Sequence, residues 1–326
     1  MRSAMHDVFG EPEKVLKLAD APVPEPGEGQ LRIRTILSPI HNHDLWTVRG
    51  NYGYKPHLPG AIGGSEAVGV VDAIGQGADE ALLGKRVAVA GVHGSWAEYF
   101  LAPAAAVVPV PDSIKDEAAA QLIAMPFSAI TLLEFLGVEE GDWIIQNTAN
   151  GAVGKAVAML AQARGINAVN LVRRDAGVQE LAELNIKNGV STAEAGWQDK
   201  VKGMTGGAPI RAGVDSIGGS SANDIAELLG DDALLVSFGS MTGEPMQISS
   251  GPVIFKQLTI KGFWGSKVIG SLSAEDRRRL MGELIELVAK GKILLPVEGT
   301  FELAEISDAV KASLAAGKAG KVLLRP

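Results

Sequence analysis

The sequence predicts an α/β protein in two parts, a doubly wound parallel sheet attached to a β-rich domain. Three observations carry this. Residues 143–174 read as strand, small-residue turn, helix and second strand. From 213 to 264 short apolar runs alternate with helical stretches, the pattern of parallel strands with helices packed between them. Residues 1 to about 115 hold short alternating runs broken by proline and glycine, which suits a small barrel or sandwich.

In chain order, Pro22, Pro24, Pro26 and Gly27 punctuate a loop before an alternating strand, Leu31 to Leu37. Further strands are expected at Gly63–Val71 and Gly84–Ala90. Between Asp116 and Leu136 the spacing turns helical, with Pro126 separating two pieces. Trp143-Ile144-Ile145 is a buried strand bounded by Gly141-Asp142 and Asn147. After the turn Thr148–Gly154, Val153, Val157, Leu160 and Ala161 recur at helical spacing until Gly165. Ala168–Val172 is the next strand. Strands follow at Gly213–Ile217, Ala233–Gly239 and Leu258–Trp264, with a helix at Asn223–Leu229. An amphipathic helix begins near Ser273, a linker surrounds Pro296, a helix covers Ala304–Ala315, and Lys321–Leu324 closes the chain. The expected division is 118–265 for the parallel sheet and 1–117, completed by 266–326, for the β-rich domain.

The turn carries the chemistry. Dinucleotide-binding turns read G-x-G-x-x-G: the first glycine bends the chain, the second admits the pyrophosphate, and the third lets helix pack on strand. Here the frame is Ala149-Asn150-Gly151-Ala152-Val153-Gly154, with alanine in the first place. The helix that follows directs free N–H groups at an anion. In NAD-specific sites an acidic residue about 20 residues past the turn binds the ribose hydroxyls. That place holds Arg173-Arg174, followed by Asp175. A guanidinium binds a 2′-phosphate bidentately, so the expected cofactor is NADPH.

Composition bounds the alternatives. Net charge is −8, from 30 basic and 38 acidic residues, and no basic run suggests a nucleic-acid partner. Arg277-Arg278-Arg279 reads as the solvated face of its helix. With no cysteine, disulfides, iron–sulfur clusters and cysteine-ligated zinc are excluded. His41, His43 and Asp44 lie close together, but zinc needs a further protein ligand of suitable geometry, and no metal is expected. Met1–Gly10 lacks the apolar core of a signal peptide, and no stretch reaches about 18 uninterrupted apolar residues. The expectation is a cytoplasmic protein without membrane contact.

Four stretches resemble the medium-chain dehydrogenase/reductase superfamily, and within it the zinc-free 2-enoyl thioester reductases of mitochondrial type. They are Gly50-Asn51-Tyr52-Gly53 with Leu58-Pro59 and Gly63–Glu66; Ile144–Gly154; Val172–Asp175; and Ile254–Leu258 through Gly262-Phe263-Trp264. The resemblance implies a Rossmann-type sheet beside a GroES-like catalytic domain. It implies Tyr52 as the catalytic residue, donating to the enolate that forms when hydride adds to an enoyl thioester; Tyr54 is a nearby rival. It places the pyrophosphate on Asn150, Gly151, Ala152, Val153 and Gly154, and the adenosine phosphate by Arg173, Arg174 and Asp175. Phe238, Gly239, Ser240 and Met241, with Phe263, Trp264, Gly265 and Ser266, would line the nicotinamide end. Lys321 matches a lysine of the family's closing strand, and the resemblance implies it as a further cofactor contact. Where the family has an asparagine near the nicotinamide this chain has Met125, so one polar contact is lost or supplied elsewhere. Zinc-dependent relatives carry a metal-binding histidine where Ser65 precedes Glu66. An NADPH:quinone reductase and a non-enzymatic NADPH-binding protein are the alternatives on this scaffold. A homodimer is expected through the strand 258–264.

Overall fold

A computed structural model of the chain describes residues 1–326. The chain divides into two compact units, Met125–Leu294 and a second made of Met1–Ala124 with Leu295–Pro326.

Met125–Leu294 is built on six parallel strands in the spatial order Gly189–Ser191, Asn167–Val172, Trp143–Gln146, Ile210–Asp215, Leu234–Ser237 and Thr259–Gly262. Counted along the chain this is 3-2-1-4-5-6; the alternation predicts a doubly wound sheet, and the structure supplies the order. The strand residues Ile145, Val169, Leu171, Val190 and Leu235 are buried, and Trp197, Val201, Ile225 and Leu229 pack against them from helices and loops. Each such side chain contributes roughly 1.5–3 kcal/mol on leaving water. Strand order reverses between Trp143–Gln146 and Ile210–Asp215, which opens a crevice at their carboxyl ends. A polar bridge ties the two there. Asn147 Nδ2 donates to Asp215 Oδ1, and Ser216 N donates to Asn147 Oδ1 at 2.7 Å. Fully buried Asp215 also accepts from the N–H of Gly218 and the hydroxyl of Ser221, each at 3.0 Å.

The other unit centres on the long strand Gln30–Pro39. It pairs antiparallel with Glu66–Ile74, Tyr99–Pro103 and Lys321–Arg325. Val297–Glu302 extends the sheet by running parallel to Lys321–Arg325, and Arg86–Ala90 and Val108–Pro109 lie beyond Glu66–Ile74. A small sheet of Lys17–Asp20, Arg2–His6 and Ala61–Ile62 sits apart. Trp96 is fully buried and donates from Nε1 to Pro39 O at 3.1 Å. Its ring explains Gly63-Gly64: a Cβ on either would lie 2.2 or 2.4 Å from it.

Several expected elements shift. The helical region after Asp116 breaks at 120–123, giving Asp116–Ala119 and Ala124–Leu136. Pro126 sits in the first turn of the second helix, where a missing N–H costs no bond. Residues 266–294, expected with the β-rich domain, belong with the parallel sheet. The helix Ala274–Ala289, capped by Ser273 Oγ accepting from Asp276 N, buries Leu280 and Leu284. Its Glu283 and Arg279 pair with Arg164 and Glu134 of the same unit at 2.8 and 2.9 Å. The linker expected around Pro296 leads at once into the strand Val297–Glu302. The strand Gly189–Ser191 and the helix Gly265–Gly270 have no counterpart among the predicted elements. No helix is long and apolar enough to cross a membrane.

Candidate active site

The turn after Trp143–Gln146 is tight because Thr148 takes a left-handed conformation, φ 50°, and its carbonyl accepts from Gly151 N at 2.8 Å. Gly151 is the N-cap of the helix Ala152–Ala163, and no side chain caps that helix. The N–H groups of its first turn therefore lack intrahelical partners. Gly151 and Ala152 are exposed, while Asn150 and Val153 are half-buried. A Cβ on Gly154 would lie 2.7 Å from Thr148 O and 2.8 Å from Ala149 Cα, both backbone atoms. Gly154 is thus the position where helix presses on turn. Gln146, buried beneath, donates to Gly154 O at 2.8 Å and to Asn170 Oδ1 at 2.7 Å. A bare helix N-terminus over a glycine-lined bend has the shape and polarity for a pyrophosphate.

At the end of the neighbouring strand Arg173 is exposed, and Arg174 is the N-cap residue of the helix Asp175–Glu183. Arg174 donates to Glu180 Oε1 at 2.5 Å, and Asn150 Nδ2 donates to Glu180 Oε2 at 3.3 Å. The structure so brings turn and strand end together around one carboxylate. Asp175 is exposed in the first helical turn. Sequence reasoning passed over Glu180, and its one signal is being a carboxylate on the helix that follows the arginines.

The segments 238–241 and 263–266 also meet. Phe238 and Phe263 stack with centroids 5.5 Å apart, and Phe135 meets Phe263 edge-on at 5.4 Å. Phe263 is buried, whereas Trp264 is 70% and Met241 74% exposed. Gly239 is half-buried, Ser240 and Ser266 are exposed, and Gly265 lies against Ser128. Ser128 follows the half-buried Met125 by one helical turn, so a hydroxyl stands near the position where the asparagine is missing.

Tyr52 lies in the other unit and is 40% exposed. Its ring stacks on His43 at 5.7 Å, and His43 stacks on His41 at 5.0 Å. His43 Nε2 shares a hydrogen bond of 2.8 Å with Ser65 Oγ. Tyr54 instead stacks on His93 at 3.8 Å. The two tyrosines therefore have distinct surroundings, and only Tyr52 stands beside the His43–Ser65 pair.

Behind them lies a buried polar cluster whose members the sequence names separately without showing that they converge. Glu66 is fully buried. Its Oε1 accepts from the N–H groups of Ile123 and Ala124 at 2.7 and 2.8 Å, and its Oε2 pairs with His41 Nε2 at 2.7 Å. Its main-chain carbonyl accepts from Ser38 at 2.6 Å and Ser95 at 3.1 Å. Burial raises the Glu66 carboxyl to about 7, against the pull of those two N–H groups. Burial also holds His41 well below the usual histidine value, so its ring is neutral. Asp44 is buried and accepts from His41 N at 3.0 Å. Lys321, half-buried, faces this cluster; removal from water lowers it to about 8, opposed by the charges of Asp44 and Glu66. Lys321 thus stands in the unit of Tyr52, not in that of the turn and the arginines. No three of His, Cys, Asp and Glu converge in a way that would hold a metal.

Comparison with known proteins adds the following. Residues 27–112 match the alcohol dehydrogenase GroES-like domain, and residues 152–286 match the zinc-binding dehydrogenase domain. The mitochondrial enoyl-[acyl-carrier-protein] reductase of Bos taurus is 30% identical over 319 residues, covering 96% of this chain and 85% of that protein. The human enzyme of the same name is 29% identical over 320 residues, covering 96% and 86%. Among solved structures, a protein from Bacillus thuringiensis described as a putative NADPH:quinone reductase superposes with a TM-score of 0.89 at 28% identity, covering all of this chain and 98% of its own.

Proposed function

This chain belongs to the zinc-free medium-chain dehydrogenase/reductase superfamily and is an oxidoreductase, and from that premise we propose that it uses NADPH to reduce the activated C=C bond of a trans-2-enoyl thioester. The observation that supports the cofactor reading is the meeting of Asn150 and Arg174 at Glu180, which sets the glycine turn beside the arginine-bearing strand end. The names of the relatives, enoyl reductases and an NADPH:quinone reductase, support both halves of the reading.

NADPH supplies the hydride. The protein's part is to bind, orient and stabilise. The first-turn N–H groups from Gly151 onward hold the pyrophosphate, with Asn150, Ala152, Val153 and Gly154 shaping the cradle. Arg173 and Arg174 receive the 2′-phosphate, beside Asp175. Phe238 and Phe263 form an apolar wall for the nicotinamide, flanked by Gly239, Ser240 and Met241 and by Trp264, Gly265 and Ser266. Tyr52 donates its hydroxyl hydrogen bond to the thioester oxygen as negative charge gathers there, a bond strongest where the charge is largest, and helps deliver the proton that the α-carbon takes up as the enolate collapses. The aromatic face of His43 fixes the phenol ring.

A second reading, reduction of a quinone, is favoured by the full-length similarity to the B. thuringiensis protein and by Met125 in place of the asparagine. A panel of crotonyl-CoA, longer 2-enoyl-CoAs, quinones and 2-alkenals with NADPH separates the two. Turnover of quinones but of no enoyl thioester overturns the first reading. We also propose a homodimer. The strand Thr259–Gly262 is the sheet's outer edge and is exposed along its length, with Ile260, Phe255 and Trp264 presented to solvent beside it. Such an edge is a template for pairing with a second copy.

A further inference from the structure

We propose that Glu180 sets how strongly the nucleotide site distinguishes NADPH from NADH, by competing with the 2′-phosphate for Arg174; this rests on the NADPH reading above. Glu180 lies on the helix Asp175–Glu183 and divides its two oxygens between the two halves of the pocket. Oε1 takes the Arg174 guanidinium at 2.5 Å, and Oε2 takes the Asn150 amide at 3.3 Å. The Arg174 side chain is 43% exposed and that of Glu180 24% exposed, so the pair stands at the mouth of the site and not in the core.

Two consequences follow from charge and geometry. A phosphate seeking Arg174 meets a guanidinium whose Nη2 donor is already engaged by a carboxylate, and the incoming dianion is repelled by that carboxylate. Arg173, exposed and outside this pair, is the guanidinium left ready for it. Counted together, Arg173 and Arg174 are offset by Asp175 and Glu180, so the strand end is formally neutral. NADH, by contrast, carries hydroxyls at the same ribose, and a carboxylate is the group that accepts from them in NAD-specific sites. Glu180 acts in the same direction on both ligands: it weakens the phosphorylated one and suits the unphosphorylated one. It is a positioning residue for Arg174 and takes no part in hydride transfer.

The test is Glu180→Gln in the full-length protein, which removes the charge and keeps the shape. Calorimetric titrations use adenosine 2′,5′-bisphosphate and 5′-AMP, which differ in the 2′-phosphate, and then NADPH and NADH. The ratio of affinities, phosphorylated over unphosphorylated, is expected to rise about fivefold or more, the scale of one partly exposed charge pair together with the repulsion removed. In an Arg174→Ala background the same change should raise the ratio by clearly less than in the Arg174 protein, because the competition for the guanidinium is gone and only the direct repulsion remains; an equal rise in both backgrounds refutes the competition. Glu180→Ala provides a second variant on the exposed helix face. An unchanged ratio refutes the role. A falling ratio refutes it too, since Glu180 would then be bracing Arg174 for the phosphate. Equal affinities of the unmutated protein for bisphosphate and AMP count against the NADPH reading itself, and so the two failures are told apart.

Discussion

Replacing Glu66 by glutamine isolates the buried cluster behind Tyr52. The carboxyl rises from its ordinary 4.5 to about 7 because it is fully buried. Between those values the folded chain holds a proton that the unfolded chain has released. Folding therefore takes up protons in this window, and stability falls as pH climbs through it. The contribution is fully present below about 4.5 and gone above about 7. At about 1.4 kcal/mol per pH unit the swing is on the order of 3 kcal/mol. Lys321 works elsewhere on the scale. Its value is lowered from 10.5 to about 8, so its contribution grows as pH rises from about 8 to 10.5. His41, held low by burial, opposes Glu66 up to about pH 6.5 in both proteins, so the difference between wild type and variant isolates Glu66. Glutamine keeps an oxygen for the N–H groups of Ile123 and Ala124 and an amide for His41, yet cannot ionise. Urea unfolding of the wild type and Glu66→Gln, followed by tryptophan fluorescence, should give similar stabilities at pH 5. At pH 8 the variant should be the more stable of the two. Infrared difference spectra of the wild type should show a carboxyl band lost with a midpoint near 7 and absent from the variant. Parallel stability profiles between pH 5 and 8, with no such band, would refute the reasoning.

Other perturbations test the remaining parts. Tyr52→Phe should lower kcat/KM for crotonyl-CoA by about 10²-fold or more, whereas Tyr54→Phe, whose ring stacks on His93, should leave it within about threefold; a change confined to KM in Tyr52→Phe would mean binding and not transition-state stabilisation. Arg173→Ala with Arg174→Ala should weaken NADPH binding about 10–100-fold and NADH binding little, because charge-assisted bonds to phosphate are lost; equal losses for both would remove the arginines from the phosphate site. Gly154→Ala forces a methyl to within 2.7 Å of Thr148 O, so dinucleotide affinity should fall along with thermal stability, and an unaffected titration would show that the turn yields. Phe255→Asp, at a side chain 85% exposed near the edge strand, should shift sedimentation to the monomer if the dimer forms there; a species of unchanged size would exclude that edge.

Much of this was legible because glycines and arginines act through the backbone and through charge, both of which are local in sequence. The bend at Thr148–Gly154, the strands on either side of it and the arginine pair all lie within about thirty residues, so one pass along the chain finds them. That the sheet is parallel and doubly wound follows from alternation alone, whereas its strand order does not. What stayed hidden depends on pairing across long separations. Glu66 reads as an ordinary polar residue at a strand start, and nothing near it in sequence announces that His41, Ile123 and Ala124 will close around it. Lys321, two hundred and fifty-five residues later, reaches the same cluster only because the last strand pairs with Gln30–Pro39. The helix Ala274–Ala289 was assigned to the wrong side for a related reason: its apolar stripe shows that it packs, but only Arg164–Glu283 and Arg279–Glu134 show against what. Glu180 stands between these cases. It is six residues from Arg174, within local reach, but its hold on Asn150 comes from the parallel pairing of Asn167–Val172 with Trp143–Gln146, which sets the helix after one strand beside the turn after the other. On the proposed reading, cofactor preference is written locally in the arginines and adjusted by topology through a carboxylate that no local motif contains.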